Sequence, residues 1–152
     1  MRKVPLSASR KIIARGSRNW VAERPIVVSF EVTDACTCYC HHCDHGGPKD
    51  ETKNLKPTDF RRYMDELRPC VVQVSGGEPR KRGELTQVVR HINSNEGIPY
   101  VILVSTWTRM TESRSVELHE AGVSQYYVSS VIPTPSRHAC RYCTGRYAPA
   151  QH

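Results

Sequence analysis

The stretch PIVVSFEVTDACTCYCHHC, residues 25–43, decides the fold because it places a group of cysteines directly after a strand-like run. The run IVVSFEV at 26–32 is rich in β-branched and aromatic residues and has the length of a strand. Cys36, Cys40 and Cys43 follow with the spacing C-x-x-x-C-x-x-C. Three thiolates on one short loop can each bind one iron of a cubane cluster, which leaves the fourth iron open to another ligand. This stretch therefore predicts a cofactor loop at the end of a β-strand.

Strand and helix patterns alternate after the cysteine loop. Hydrophobic spacing predicts helices from Pro57 to before Pro69, over 83–94 and over 111–121, and strands over 71–75, 100–105 and 125–129. Helices between successive strands indicate a parallel sheet with right-handed crossovers. The predicted fold class is α/β: a partial, incomplete TIM-like β/α barrel with about four parallel strands.

A second motif, Gly76-Gly77-Glu78-Pro79, follows the second predicted strand. In a parallel β/α barrel the carboxyl ends of the strands meet at one rim. The glycine motif and the cysteine loop are therefore expected to lie close together. Glycines allow main-chain groups to approach a ligand closely, because no Cβ stands in the way. Glu78 is expected either to contact that ligand or to fix the turn.

These two motifs resemble those of the radical SAM superfamily, which binds S-adenosylmethionine (SAM) against an iron–sulfur cluster. The resemblance, carried by FEVTDACTCYCHHC at 30–43 and by the G-G-E-P motif, covers roughly residues 25–130. It implies that Cys36, Cys40 and Cys43 bind a [4Fe–4S] cluster whose open iron is chelated by SAM. It also implies that Gly76–Pro79 contact the methionyl amine, and that His42 stacks near the adenine where the family usually has an aromatic residue.

The chemistry implied by the resemblance is reductive cleavage of SAM to methionine and a 5′-deoxyadenosyl radical, which then takes a hydrogen atom from a substrate. The substrate is unknown, and the implied electron donor is a flavodoxin or ferredoxin. The family core usually has six β/α units, and the alternation here stops after the fourth strand. The sequence therefore predicts a truncated or frameshifted form of the core. Both an active form and an inactive fragment agree with this prediction. This gives three expected segments: a basic, irregular or weakly helical segment at 1–24, a partial radical SAM core at 25–130 and an irregular tail at 131–152.

The net charge of +7 is concentrated in the first 24 residues, which hold seven Lys or Arg and one Glu. A basic arm of this kind can attract nucleic acid, but no RNA-binding signature accompanies it. A basic RNA-binding protein is therefore the least favoured function. The sequence shows neither a membrane-length apolar stretch nor a secretory signal, so we expect a cytoplasmic protein without a membrane partner.

The cysteine loop leaves two alternatives open. Cys38 lies inside the first spacer and offers other cysteine triads, although only Cys36, Cys40 and Cys43 have the family spacing. The same loop could instead belong to a small zinc-binding interaction module. The candidate zinc ligands are Cys38, His41, His42, Cys43 and His45, with Cys140 and Cys143 from the tail.

Overall fold

The computed structural model describes residues 5–37, 54–94, 100–106 and 110–129, and its strands form one four-stranded sheet. Helix α1 (Leu6–Val21) precedes strand β1 (Val27–Glu31). The other elements follow as α2 (Pro57–Leu67), β2 (Val71–Ser75), α3 (Leu85–Asn93), β3 (Tyr100–Ser105), α4 (Glu112–Ala121) and β4 (Gln125–Val128). The spatial order is β1-β2-β3-β4, and every neighbouring pair is parallel. The prediction of an α/β fold with an open, partial barrel is confirmed.

The hydrophobic core lies between one face of the sheet and the three crossover helices. Alternate residues of β2 and β3 point into it, because side chains along a strand alternate between faces. The buried members are Val72, Val74, Val101 and Leu103 from the strands and Phe60, Met64, Leu85, Val88, Val89, Ile92 and Leu118 from the helices. The opposite face, which carries Ile102 and Val104, is only partly buried. Helices on one face alone are the arrangement expected of a barrel segment.

The basic segment differs from its prediction, because residues 6–21 form a 16-residue helix rather than an irregular or weakly helical stretch. The side chain of Asn19 anchors this helix: its Nδ2 donates to the carbonyls of Pro25 and Arg68, both at 2.9 Å. The Nε of Arg15 donates to the same Arg68 carbonyl. The helix therefore docks through polar groups, which hydrophobic periodicity does not reveal.

Two helix starts show how proline sets the boundaries. Helix α2 begins at Pro57 as predicted, and the Asp59 carboxylate accepts a hydrogen bond from Lys56 N at 2.9 Å, which caps the helix. Helix α3 begins at Leu85 rather than at 83, and a short 3₁₀ turn that opens at Pro79 precedes it. None of the helices in the described ranges combines the length and apolar character needed to cross a bilayer.

Candidate functional site

The predicted site residues lie at the carboxyl edge of the sheet. The chain leaves β1 through Val32–Cys36, leaves β2 through Gly76–Pro79 and leaves β3 at Thr106. These segments are neighbours because β1, β2 and β3 are adjacent and parallel. This edge is where β/α barrels place their active sites.

Main-chain hydrogen bonds join the loop after β1 to the loop after β2. They run from Val32 N to Ser75 O (2.9 Å), from Gly77 N to Thr33 O (2.7 Å) and from Glu78 N to Ala35 O (2.9 Å). The β1–β2 pairing thus continues beyond the ends of both strands. Cys36 directly follows Ala35, whose carbonyl accepts the hydrogen bond from Glu78 N. The structure therefore brings the base of the cysteine loop and the G-G-E turn together, as the sequence predicted.

The two glycines of the turn are required by this close approach. A Cβ on Gly76 would lie 2.4 Å from the Thr33 carbonyl oxygen, and one on Gly77 would lie 2.5 Å from that of Ala35. Gly76 also has a φ of +128°, which side-chain-bearing residues rarely adopt. The glycines are thus needed for contact between the loops, in addition to the predicted role of giving SAM access to the main chain.

Glu78 is buried, with 2% of its surface exposed, and its carboxylate is held by the end of β3. Its Oε1 accepts a hydrogen bond from Ser105 Oγ at 2.8 Å. Its Oε2 accepts from Thr106 N at 2.9 Å and from Thr106 Oγ1 at 2.5 Å. Two roles were expected for Glu78, and these hydrogen bonds match the one in which its carboxylate fixes the turn.

The stem of the cysteine loop is itself buried and internally bonded. Val32, Thr33 and Ala35 are each at most 3% exposed. Thr33 Oγ1 accepts a hydrogen bond from Ala35 N at 3.1 Å, which tightens the chain just before Cys36. Pro79 is also buried, at the start of the 3₁₀ turn. The main chain on either side of the site is therefore well fixed.

Only one of the three predicted cluster ligands lies among the described residues. Cys36 is half-buried at the sheet edge, whereas Cys40, His42 and Cys43 lie outside the described residues, as do Cys38, Cys140 and Cys143. Within the described ranges, no three His, Cys, Asp or Glu side chains lie close enough together to hold a metal ion. The assignment of the ligands therefore stays a prediction.

Ser105, which donates to Glu78, was not predicted as a site residue. The hydroxyl ends an otherwise apolar strand, and its partner lies 27 residues away in the chain. A serine at a strand end is common, so the sequence gives no local sign of this contact. Only the sheet order reveals it.

We predict that Glu78→Gln destabilises the protein by about 1–3 kcal/mol, because the amide cannot accept all four hydrogen bonds, which come from Ser105 Oγ, Thr106 N, Thr106 Oγ1 and Arg80 N, and leaves a buried donor unpaired. Urea unfolding followed by circular dichroism measures the change. The matched control is Glu66→Gln on the exposed face of α2, which should stay within about 0.5 kcal/mol of the parent. Equal stability of the Glu78→Gln variant and the parent would contradict a fixing role.

Comparison with known proteins identifies related sequences. No protein-family model matches the chain. It is 32% identical over 109 residues to the PqqA peptide cyclase of Bradyrhizobium diazoefficiens, covering 69% of this chain and 28% of that protein. It is 28% identical over 128 residues to a probable GTP 3′,8-cyclase of Pyrococcus abyssi, covering 80% of this chain and 40% of that protein. The chain thus spans well under half the length of these relatives.

Solved structures share the fold. BtrN, crystallised with AdoMet and 2-DOIA, superimposes with a TM-score of 0.56 at 21% identity, covering 68% of this chain and 45% of BtrN. Streptococcus suis SuiB bound to S-adenosylmethionine superimposes with a TM-score of 0.52 at 12% identity, covering 83% of this chain and 29% of SuiB.

The motifs, the relatives and the fold agree on one superfamily. The cysteine spacing and the G-G-E turn lie at one edge of a parallel sheet, as the resemblance required. Both cyclases are radical SAM enzymes, and the structural neighbours have the partial-barrel fold. The chain therefore belongs to the radical SAM superfamily.

Proposed function

We propose that this chain binds a [4Fe–4S] cluster through Cys36, Cys40 and Cys43, and that SAM binds against it beside Gly76–Pro79 and His42. The observation that carries the proposal is the bonded junction between the two motifs. Glu78 N donates to the carbonyl of Ala35, the residue next to Cys36, at 2.9 Å. This contact supports the proposal, because it joins the residue before Cys36 to the turn expected to bind SAM.

The residues present suit these cofactors. Thiolates are the ligands that iron–sulfur clusters use, and a set of three leaves one iron free for the amino and carboxylate groups of SAM. Cys36 is half-buried, which partly shields a ligand from water while leaving it accessible. When bound, the cluster supplies the electron for reductive cleavage of SAM.

The protein's own contribution at this edge is to hold the cofactors in position. The buried residues Val32, Thr33 and Ala35 fix the start of the cysteine loop, and the Glu78 carboxylate ties the neighbouring turn to β3. Rigid support of this kind keeps reacting groups within the narrow range of productive geometry. Within the described residues, we assign no side chain as a substrate acid or base.

The substrate class and the partners extend this proposal. One relative is a peptide cyclase, another a GTP cyclase, and SuiB has been crystallised with a precursor peptide. We infer a peptide or small-molecule substrate, with electrons from a flavodoxin or ferredoxin. A thiolate-bound cluster fits a reducing compartment, so we infer a cytoplasmic location.

An anaerobic reconstitution with iron and sulfide tests the proposal. The expected result is a brown protein with broad absorbance near roughly 400 nm that releases 5′-deoxyadenosine from SAM after reduction with dithionite. Binding of a cluster without SAM cleavage would contradict the proposed activity. A colourless protein that retains zinc would contradict the proposal as a whole and favour the zinc-binding module.

A further inference from the structure

Arg82 is a buried arginine directly after the 3₁₀ turn that follows the G-G-E motif. Only 3% of its surface is exposed. Its guanidinium donates through Nη1 to the Val32 carbonyl at 2.8 Å and through Nη2 to the Leu55 carbonyl. The guanidinium carbon lies 5.5 Å from the centroid of the Phe60 ring, within the range of a cation–π contact.

The two carbonyls that Arg82 binds flank the cysteine motif in sequence. Val32 precedes Cys36 by four residues, and Leu55 follows Cys43 by twelve. One side chain therefore joins the chain entering the cysteine loop to the chain leaving it. Both main-chain groups of Val32 are bonded, because its N–H also donates to the Ser75 carbonyl oxygen at 2.9 Å.

Packing alone does not account for an arginine at this position. Removing a guanidinium from water is unfavourable unless its donors are paired. The ion-pair partner, Glu84, is 3.2 Å away and 56% exposed, so it contributes little compensation. Within the described residues, the Nε has no hydrogen-bond partner. A methionine could cover Phe60 without this desolvation, so what the arginine adds is the pair of bonds to the main chain.

We propose that Arg82 is a positioning residue for the iron–sulfur cluster. Its side chain fixes both ends of the cysteine loop relative to the G-G-E turn. The cluster part of this inference rests on the proposed function. The fixing of the two chain segments rests only on the contacts described above. The two parts can therefore be tested separately.

The first test uses Arg82→Met, Arg82→Lys and the control Lys81→Met, which removes a neighbouring exposed charge. Hydrogen exchange of the metal-free protein should become about tenfold faster in peptides covering 32–37 and 54–58 in Arg82→Met. Exchange in β3 should not change. Arg82→Lys should be intermediate, because an ammonium lacks the planar fork that reaches both carbonyls. Exchange equal to that of Lys81→Met would overturn the proposal.

The second test measures iron retained after anaerobic reconstitution and the shift of the cluster's electron paramagnetic resonance signal on adding SAM. Arg82→Met should retain less iron or lose the shift, with partial rescue in Arg82→Lys. Unchanged iron and an unchanged shift would overturn the positioning role. If the parent protein binds no iron, the proposed function fails, while the exchange experiment still decides whether Arg82 holds the loop ends. If Arg82→Met does not fold, Arg82→Lys provides both measurements.

Discussion

Cys40→Ala is expected to abolish cluster binding, lowering the iron content from about four atoms per chain to nearly none. The reason is chemical: a site-differentiated cubane needs three protein thiolates, and removing one exposes a second iron to solvent. Cys38→Ala is expected to retain the iron, because Cys38 lies inside the first spacer of the C-x-x-x-C-x-x-C motif. Iron and sulfide analysis after anaerobic reconstitution measures both variants.

The matched control for this pair is Cys70→Ala, which removes a cysteine from outside the motif. Cys70 is fully buried, and its burial raises the pKa of the thiol. A thiol with a raised pKa stays protonated at neutral pH and is a poor metal ligand. Iron content should therefore match that of the parent. Loss of iron in Cys38→Ala with retention in Cys40→Ala would reassign the ligand set to another cysteine triad.

The strands and their parallel pairing could be predicted, because each strand has a local signature and helical patterns separate them. The apolar runs at 71–75 and 100–105 are strands with those same bounds. The contact between the cysteine loop and the glycine turn followed from topology, since adjacent parallel strands end at the same edge. A motif pair of this kind is predictable without knowledge of any side-chain packing.

The supporting contacts could not be predicted, because they join polar groups that are far apart in the chain. Arg82 and Val32 are separated by 50 residues, and Arg82 lies in the basic run Arg80-Lys81-Arg82, where nothing distinguishes it. The extent of helix α1, expected to be irregular or weakly helical, was underestimated for a related reason: Asn19 docks the helix through hydrogen bonds to carbonyls. Hydrophobic periodicity carries no information about such contacts.

Gly77→Ala is expected to lower the free energy of unfolding by about 2–4 kcal/mol, since the two loops must separate to accept a methyl group. The new Cβ would lie 2.5 Å from the Ala35 carbonyl oxygen and 2.7 Å from that of Asp34. Both atoms belong to the main chain, so no side-chain rotation can relieve the overlap. Separation would break the hydrogen bonds from Gly77 N to Thr33 O and from Glu78 N to Ala35 O.

Gly83→Ala supplies the matched control, because, among the described residues, no heavy atom beyond Gly83 and its two chain neighbours lies within 4 Å of the position that its Cβ would occupy. That variant should unfold in urea within about 0.5 kcal/mol of the parent. Since the broken bonds hold the stem next to Cys36, reconstituted Gly77→Ala should also bind less iron than Gly83→Ala. Near-parental stability together with parental iron content in Gly77→Ala would show that the loops are not in contact. The junction would then no longer link the cysteine motif to the turn proposed to bind SAM.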